Sequence, residues 1–365
     1  MGNLRKVYQE LATMVNIQLK WKGRRETFHT LIHFMLGIML SHDVRLGRVA
    51  SRSGFVTKIE SVEQRFRRWL SNPNIKAKEI VDPVAKQLLF QRRKKRIRLQ
   101  IDRTLVKGRF NVLMITVSHR GRALPLVWKI LPHSGSCSQK DWQSLLNRVD
   151  KMLSRYTQVI VLGDREFGTV DLIRFCRRKG WDYVLRVKRT YTAANPHDGF
   201  PLHWFPLASL LPFRQMQRWL DDWLYVQDEF MRTHIALTCA PDNDDPWILV
   251  TSLSSSQQAI REYKRRFGCE ELFSDLKARG FNIEKTQLRH PQRFDRLLIV
   301  VALLTFWLAG IARRLFVTRL VDNLIQPSHR HRYSFFQIAY RWLEQQILYG
   351  RSSIPDPKYV FGLLV

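Results

Sequence analysis

Residues 156–164, YTQVIVLGD, impose the tightest constraint in this chain. VIVLG is short, β-branched and uninterrupted by polar residues, so neither of its alternating faces can be left in water. Such a strand needs cover on both sides, and its neighbours supply it. DWQSLLNRVDKML (141–153) reads as a helix before it, and TVDLIRFCRRKG (169–180) as a helix after it, with Gly180 as the stop. WDYVLRVK (181–188) returns to strand. Upstream, alternation in RLQIDRT starts a strand near Ile97, and NVLMITVSHRG (111–121) and RALPLVWKIL (122–131) form two strands joined by a turn at His119 to Gly121. Strands first in hairpins and then alternating with helices predict an α/β chain, a mixed sheet flanked by helices.

The flanking regions have other textures. Residues 1–89 show helical rhythm, as in VEQRFRRWL (62–70) and IVDPVAKQLLF (80–90), with polar SHDVRLG and SNPN between, which predicts a small all-helical domain. Residues 191–252 are punctuated by proline and aromatics, and HIALTCA (234–240) and PWILVTSL (246–253) read as a hairpin around PDNDD, a β-rich inserted subdomain. LLIVVALLTFWLAGIA (297–312) is sixteen uncharged residues, below the roughly 18 to 20 that cross a bilayer. With charges at both ends it reads as a buried core helix, so no membrane partner is expected. A basic, aromatic-rich tail closes the chain.

Charge narrows the partner. Sixty-one Lys and Arg against thirty-one Asp and Glu give +30, which favours a polyanion. Nucleic acid comes first, because backbone phosphates reward dispersed cations whatever the sequence; an anionic membrane surface comes second. The densest basic run, QRRKKRIRLQ (91–100), carries Arg92, Arg93, Lys94 and Lys95; a phosphate-contacting seam and a solvated linker fit it equally. The four cysteines are scattered without a CxxC pair, which indicates neither a zinc ribbon nor a disulfide framework and suits a reducing compartment.

Three carboxylates draw attention. Asp102 sits mid-strand among apolar neighbours, where an acid is costly unless paired or metal-bound. Asp164 follows the apolar strand directly; taken alone, it is as well explained by a turn or a helix cap. The third lies in YKRRFGCEELFSDLK (263–277). On a continuous helix at about 100° per residue, Arg266, Glu270 and Lys277 fall roughly −60°, −20° and −40° from Tyr263, one narrow stripe. Cys269, Leu272 and Leu276 form the opposite, packing face. A mixed-charge surface helix would show the same stripe. Were the acids to converge, they would repel unless cations lay between them, and oxygen-only ligands suit Mg²⁺ or Mn²⁺. Two such ions, about 4 Å apart, can activate a water or 3′-hydroxyl and stabilise a leaving oxygen.

The spacing Tyr263, Arg266, Glu270, Lys277 resembles the signature of IS4-type bacterial insertion-sequence transposases, DDE transposases with an RNase H-like core. Asp102 in IDRT matches the family's first acidic position, Asp164 in GDREF the second, and Arg165 the basic residue after it; the family commonly has glycine where this chain has Glu166. The resemblance spans roughly residues 90 to 310. It implies a helical DNA-binding domain over 1–95, a catalytic domain over 96–190 and 253–320, the insertion over 191–252, and a tail over 321–365 for dimerisation or DNA contact. It further implies Asp102, Asp164 and Glu270 as catalytic metal ligands, with Tyr263, Arg266, Lys277 and Arg165 on phosphates. The partner would be double-stranded DNA, both element ends and target, cut and joined by a homodimer with Mg²⁺ through hairpin intermediates, in the cytoplasm at the nucleoid. Relatives place an insertion-domain tryptophan near a flipped base, for which Trp204, Trp219, Trp223 and Trp247 are candidates. The alternatives are a metal-dependent nuclease without strand transfer and an inactive, transposase-derived DNA-binding protein.

Overall fold

The computed structural model describes residues 2–19, 21, 23–119, 121–213, 216–227, 229–239, 245–278 and 280–349. Its N-terminal region is helical: α1 (Gly2–Leu19), α2 (Arg25–Ser41), α3 (Leu46–Arg52), α4 (Ile59–Ser71) and α5 (Ala77–Gln91). In α4 the period is plain, with Val62, Phe66, Trp69 and Leu70 buried and Arg65, Arg67 and Arg68 outside. Phe66 stacks on Phe34 of α2 at 4.5 Å between centroids, and the Trp69 indole donates to the Thr27 carbonyl at 3.1 Å.

The predicted mixed sheet follows. β1 (Ile97–Val106), β2 (Phe110–His119) and β3 (Arg122–Leu131) run antiparallel in sequence, while β4 (Val159–Gly163) and β5 (Asp182–Arg186) run parallel to β1, in the order β3-β2-β1-β4-β5. Helices α6 (Gln139–Asp150) and α7 (Val170–Lys179) connect the parallel strands. This is an RNase H-like core with a helical N-terminal extension. All five β4 residues are buried. Val159 and Val161 join the main core with Leu145 and Leu146 of α6 and Ile173 of α7. Ile160 and Leu162 face the other way, in a separate cluster with Ala259 and Ile260.

Residues 191–252 are β-rich, and their strands continue the core sheet. They form β6 (Thr192–Ala194), β7 (Trp204–Pro206), β8 (Gln217–Val226), β9 (Phe230–Thr238) and β10 (Trp247–Thr251), added in the order β10-β9-β8-β6-β7 beyond β5. β10 pairs antiparallel with β5, setting Leu249 opposite Arg186. The pairing covers a β5 edge that would otherwise present unpaired backbone groups. Within the expected PDNDD turn, residues 241–244 lie outside the described residues.

The 263–277 stretch departs from one continuous helix. Instead α8 (Ser256–Tyr263) runs through a 3-10 turn at Lys264–Arg266 into α9 (Phe267–Leu276), and Lys277 leaves helical geometry at ψ −100°. The tight turn carries the chain from the β5 and β10 side, where α8 packs, to β3, β2 and β1, where α9 packs. Gly268 permits the approach, since a Cβ there would come within 2.8 Å of the Arg122 backbone on β3. Cys269, Leu272 and Leu276 form the packing face as predicted, all buried.

The predicted core helix is longer than its apolar run. α10 spans Pro291–Val317, and 83% of its most apolar window is buried. It meets a membrane span's length and composition, yet it packs against α2, α4, α5, β3 and α11 (Phe335–Tyr349). Of the predicted tail, 350–365 lies outside the described residues.

Candidate active site

Alternate residues of β1 share a face, and on one face they are polar: Arg98, Gln100 and Asp102. That row meets the segment joining α8 to α9. Arg98 Nη2 donates to Glu262 Oε1 at 2.7 Å, Gln100 Nε2 to the Arg265 carbonyl at 2.5 Å, and Arg266 Nη1 to Asp102 Oδ2 at 3.0 Å. The helix is thus docked on the strand by polar rungs, and the last rung enters a cavity.

That cavity, about 390 Å³, is lined by Asp102, Arg103, Asp164, Arg165, Arg186, Arg266, Glu270 and Phe273. Asp164 stands just past β4 and accepts the Glu166 backbone N–H at 3.0 Å, which shapes the GDREF turn. Gly168 lets that turn close on β5, since a Cβ there would meet the Arg186 carbonyl oxygen at 2.2 Å. Glu270 reaches in from the first turn of α9 and accepts from Arg266 Nη2. One guanidinium, itself 6% exposed, therefore spans Asp102 and Glu270.

The electrostatics are unbalanced. Burial drives the Asp102 pKa up; Arg266 opposes it, while Asp164 and Glu270 add to it, and the carboxyl is raised to about 7. Burial also raises Asp164, against the Glu166 N–H and Arg266. Arg266 is held above its ordinary value because Tyr263, Asp102 and Glu270 outweigh its own burial. Among the described residues, no three acidic, histidine or cysteine side chains converge closely enough to hold a metal ion. Asp102 and Glu270 are instead both paired with the Arg266 guanidinium.

The cavity brings together five residues singled out from sequence: Asp102, Asp164, Arg165, Arg266 and Glu270. Two others lie elsewhere. Tyr263 is fully buried, with the Arg266 guanidinium 5.4 Å from its ring centroid and Trp247 edge-on at 5.0 Å. Lys277 donates to the Leu105 carbonyl at 3.0 Å and pairs with Glu284 at 3.2 Å, beyond the cavity lining. The basic run sits at the opposite end of β1. There Arg92 and Lys95 line a smaller cleft, Arg93 lies over the Phe90 ring at 3.9 Å, and Lys94 is exposed outside that lining. Of the tryptophans, Trp204 is 42% exposed, Trp219 stacks on His234, Trp223 lies near Phe205, and Trp247 packs on Tyr263.

Sequence reasoning missed two groups. Glu166 accepts from Arg103 Nε at 2.9 Å and from the Cys137 backbone N–H at 2.8 Å, so it braces the residue next to Asp102. Arg103 directly follows Asp102 and belongs to no spacing pattern of its own. Arg165, Arg186 and Arg189 all bond to Asp245, Arg186 at 2.7 Å. An arginine inside the apolar LRVK strand was the available signal.

Comparison with known proteins completes the picture. Residues 132–307 match the family model described as "Transposase DDE domain", a range that holds Asp164 and Glu270 and begins after Asp102. Among curated proteins, none matches. One solved structure, the piggyBac transposase synaptic complex with hairpin DNA determined by cryo-EM, aligns over 98% of this chain and 82% of its own, at 12% identity and TM-score 0.45. The family match shows a transposase DDE domain within residues 132–307 of the chain.

Proposed function

We propose that the chain is an active DNA transposase in which Asp102, Asp164 and Glu270 form the catalytic carboxylate set. The observation that carries this reading is their meeting in one cavity from three separate elements, β1, the end of β4 and α9. A divalent ion fits by donor chemistry, because the acids offer only hard oxygen ligands. It fits electrostatically too: burial and neighbouring acids push Asp102 up to about 7, the strain that a cation among the acids relieves. Mg²⁺, or Mn²⁺ in its place, would be held by Asp102, Asp164 and Glu270, and would supply water or 3′-hydroxyl activation and charge neutralisation at the phosphate.

The chain's own residues would do the rest. Arg266 must release Asp102 and Glu270 before an ion can enter, and its planar fork is then free to clamp phosphate oxygens. Arg165, 44% exposed at the cavity, would bind a second phosphate on leaving Asp245. Arg103, fixed by Glu166 and Asn111, keeps Asp102 in register. The substrate would be double-stranded DNA at the ends of the chain's own element, consistent with the +30 charge. Water would cut a phosphodiester there and free a 3′-hydroxyl. That hydroxyl would attack the opposite strand to form a hairpin, which water reopens before joining to target DNA. A homodimer at the nucleoid would hold both ends.

The test is strand-resolved analysis of DNA bearing the sequences that flank the gene, incubated with Mg²⁺. Joined products support transposition, and free ends alone indicate a nuclease. Asp102→Asn, Asp164→Asn and Glu270→Gln should each abolish cleavage while DNA binding persists. Cleavage at the normal rate by any of them would sink the assignment.

A further inference from the structure

The structure also points to a site that the carboxylate cavity does not account for. At the N-terminal end of β1, a cleft of about 250 Å³ is lined by Arg92, Lys95, Arg96, Arg98, His119 and Arg265, among others. We propose that this cleft is a second DNA site, gripping backbone phosphates of duplex DNA independently of sequence. The inference rests on the DNA-acting reading above but not on its chemistry.

Three observations support it. First, the cations outnumber the acids. Arg98 and Arg265 share Glu262, and Arg96 pairs with Asp182 at 3.3 Å, which leaves five Lys and Arg around two carboxylates. Second, one donor lacks a hydrogen bond: Arg265 Nε is buried and only ion-paired, 3.4 Å from Glu262, whose carboxylate Arg98 holds in two-pronged fashion. A buried donor without a hydrogen bond is costly, and the Arg265 side chain, 41% exposed overall, can turn its fork outward to meet a phosphate oxygen. Third, the cleft is braced: Arg92 Nη1 donates to the Ser118 carbonyl at 2.8 Å, and the ion pair of Arg98 and Glu262 fixes the opposite wall. The lining offers charged donors suited to phosphate, and such contacts position a duplex without reading its bases. Arg98 lies four residues before Asp102, about 13 Å along the strand, so gripping and cutting are separable.

Equilibrium binding of an arbitrary-sequence duplex, measured in EDTA over a salt series, tests this. Lys95→Ala, an exposed substitution, should weaken binding roughly five-fold and lower the salt slope by about 0.9. Adding Arg265→Gln should weaken it further, to roughly twenty-fold, with a slope lower by about 1.8. Lys140→Ala, an exposed control on α6, should change neither. Element-end and unrelated duplexes should lose affinity equally. Wild-type affinity and slope in the double variant overturn the proposal, as does a loss equal to that of the Lys140→Ala control or one confined to a single DNA sequence. Because metal is absent, these outcomes are independent of cleavage, and cleavage by Asp102→Asn would sink the catalytic assignment while leaving this one standing.

Discussion

Two positions on one face of β1 pose the same chemical problem and solve it differently. Near the strand's start Arg98 meets Glu262 of α8; at its middle Asp102 meets Arg266 beside α9. Both pairs join the same strand to the same stretch of chain, and in each the acid is largely buried. Burial pushes Glu262 up, but the hydrogen bonds and charge of Arg98, with Arg265 and Arg96, win, and its pKa falls below the ordinary value. At Asp102 burial wins, because the single nearby guanidinium is shared with Glu270 and Asp164 adds repulsion. A carboxylate richly supplied with cations is structural. One that must share its cation with two other acids is poised to exchange it for something else.

That contrast can be broken by substitution. The largest effect should come from Asp102→Asn, which would lower metal-dependent DNA cleavage at least about a thousand-fold. Without metal the same variant should be no less stable than the wild type above pH 7. The sign follows from the raised pKa: the folded state favours the protonated acid, so the cost of its charge is absent below the unfolded value of about 4 and fully present above about 7. Thermal melts of both proteins in EDTA should therefore diverge between those limits, with the wild type losing ground as pH rises. Parallel curves would show that Asp102 is not strained.

Glu262→Gln should do the reverse. Removing one partner of a largely buried pair strands Arg98 and should cost about 3 kcal/mol in urea unfolding, with cleavage per folded molecule unchanged. A stability loss below 0.5 kcal/mol would make the two pairs alike. A smaller effect is expected at a site remote from both, where Asp141 completes a capping box with Ser138 on α6 and pairs with Lys129. Although burial pushes its pKa up, these partners bring it down to about 2. Its contribution is thus present above about pH 4 and lost as pH falls through 2, and Asp141→Asn should cost about 1 kcal/mol at pH 7 in the same assay. The smallest effect should be the coupling of Arg266 with Glu270, whose side chain is 49% exposed; a double-mutant cycle should return under about 1 kcal/mol. A coupling of several kcal/mol would mean that Arg266 is a permanent strut that does not yield.

Much of this molecule was legible in its periods. The strand VIVLG is covered on both faces, as an unbroken apolar run demands, and Gly180 ends α7 in the left-handed conformation that favours glycine. The polar alternation of RLQIDRT marked a strand with one polar face, although what that face would meet was out of reach. Less legible were residues whose partners are remote in sequence. Glu166 looked like a departure from a family pattern; its hydrogen bonds to Arg103 and to the Cys137 backbone make it a brace. Residues 191–252 change texture along the chain, but texture does not report pairing, and only the structure shows β10 joining β5 edge to edge.

By itself, then, the sequence determined which segments must be buried and where the three carboxylates fall along the chain, because those follow from local chemistry and spacing. Which groups face one another was decided by the tertiary structure. Three residues wound as a 3-10 turn, at about 120° per residue in place of 100°, rotate every later position by roughly 60°. The single stripe expected for Tyr263, Arg266, Glu270 and Lys277 is split by that turn: Tyr263 is buried, Arg266 bridges the acids, Glu270 enters the cavity, and Lys277 pairs beyond it. A change so small per residue leaves no mark in composition or periodicity, and only the packing of α8 and α9 on different strands calls for it.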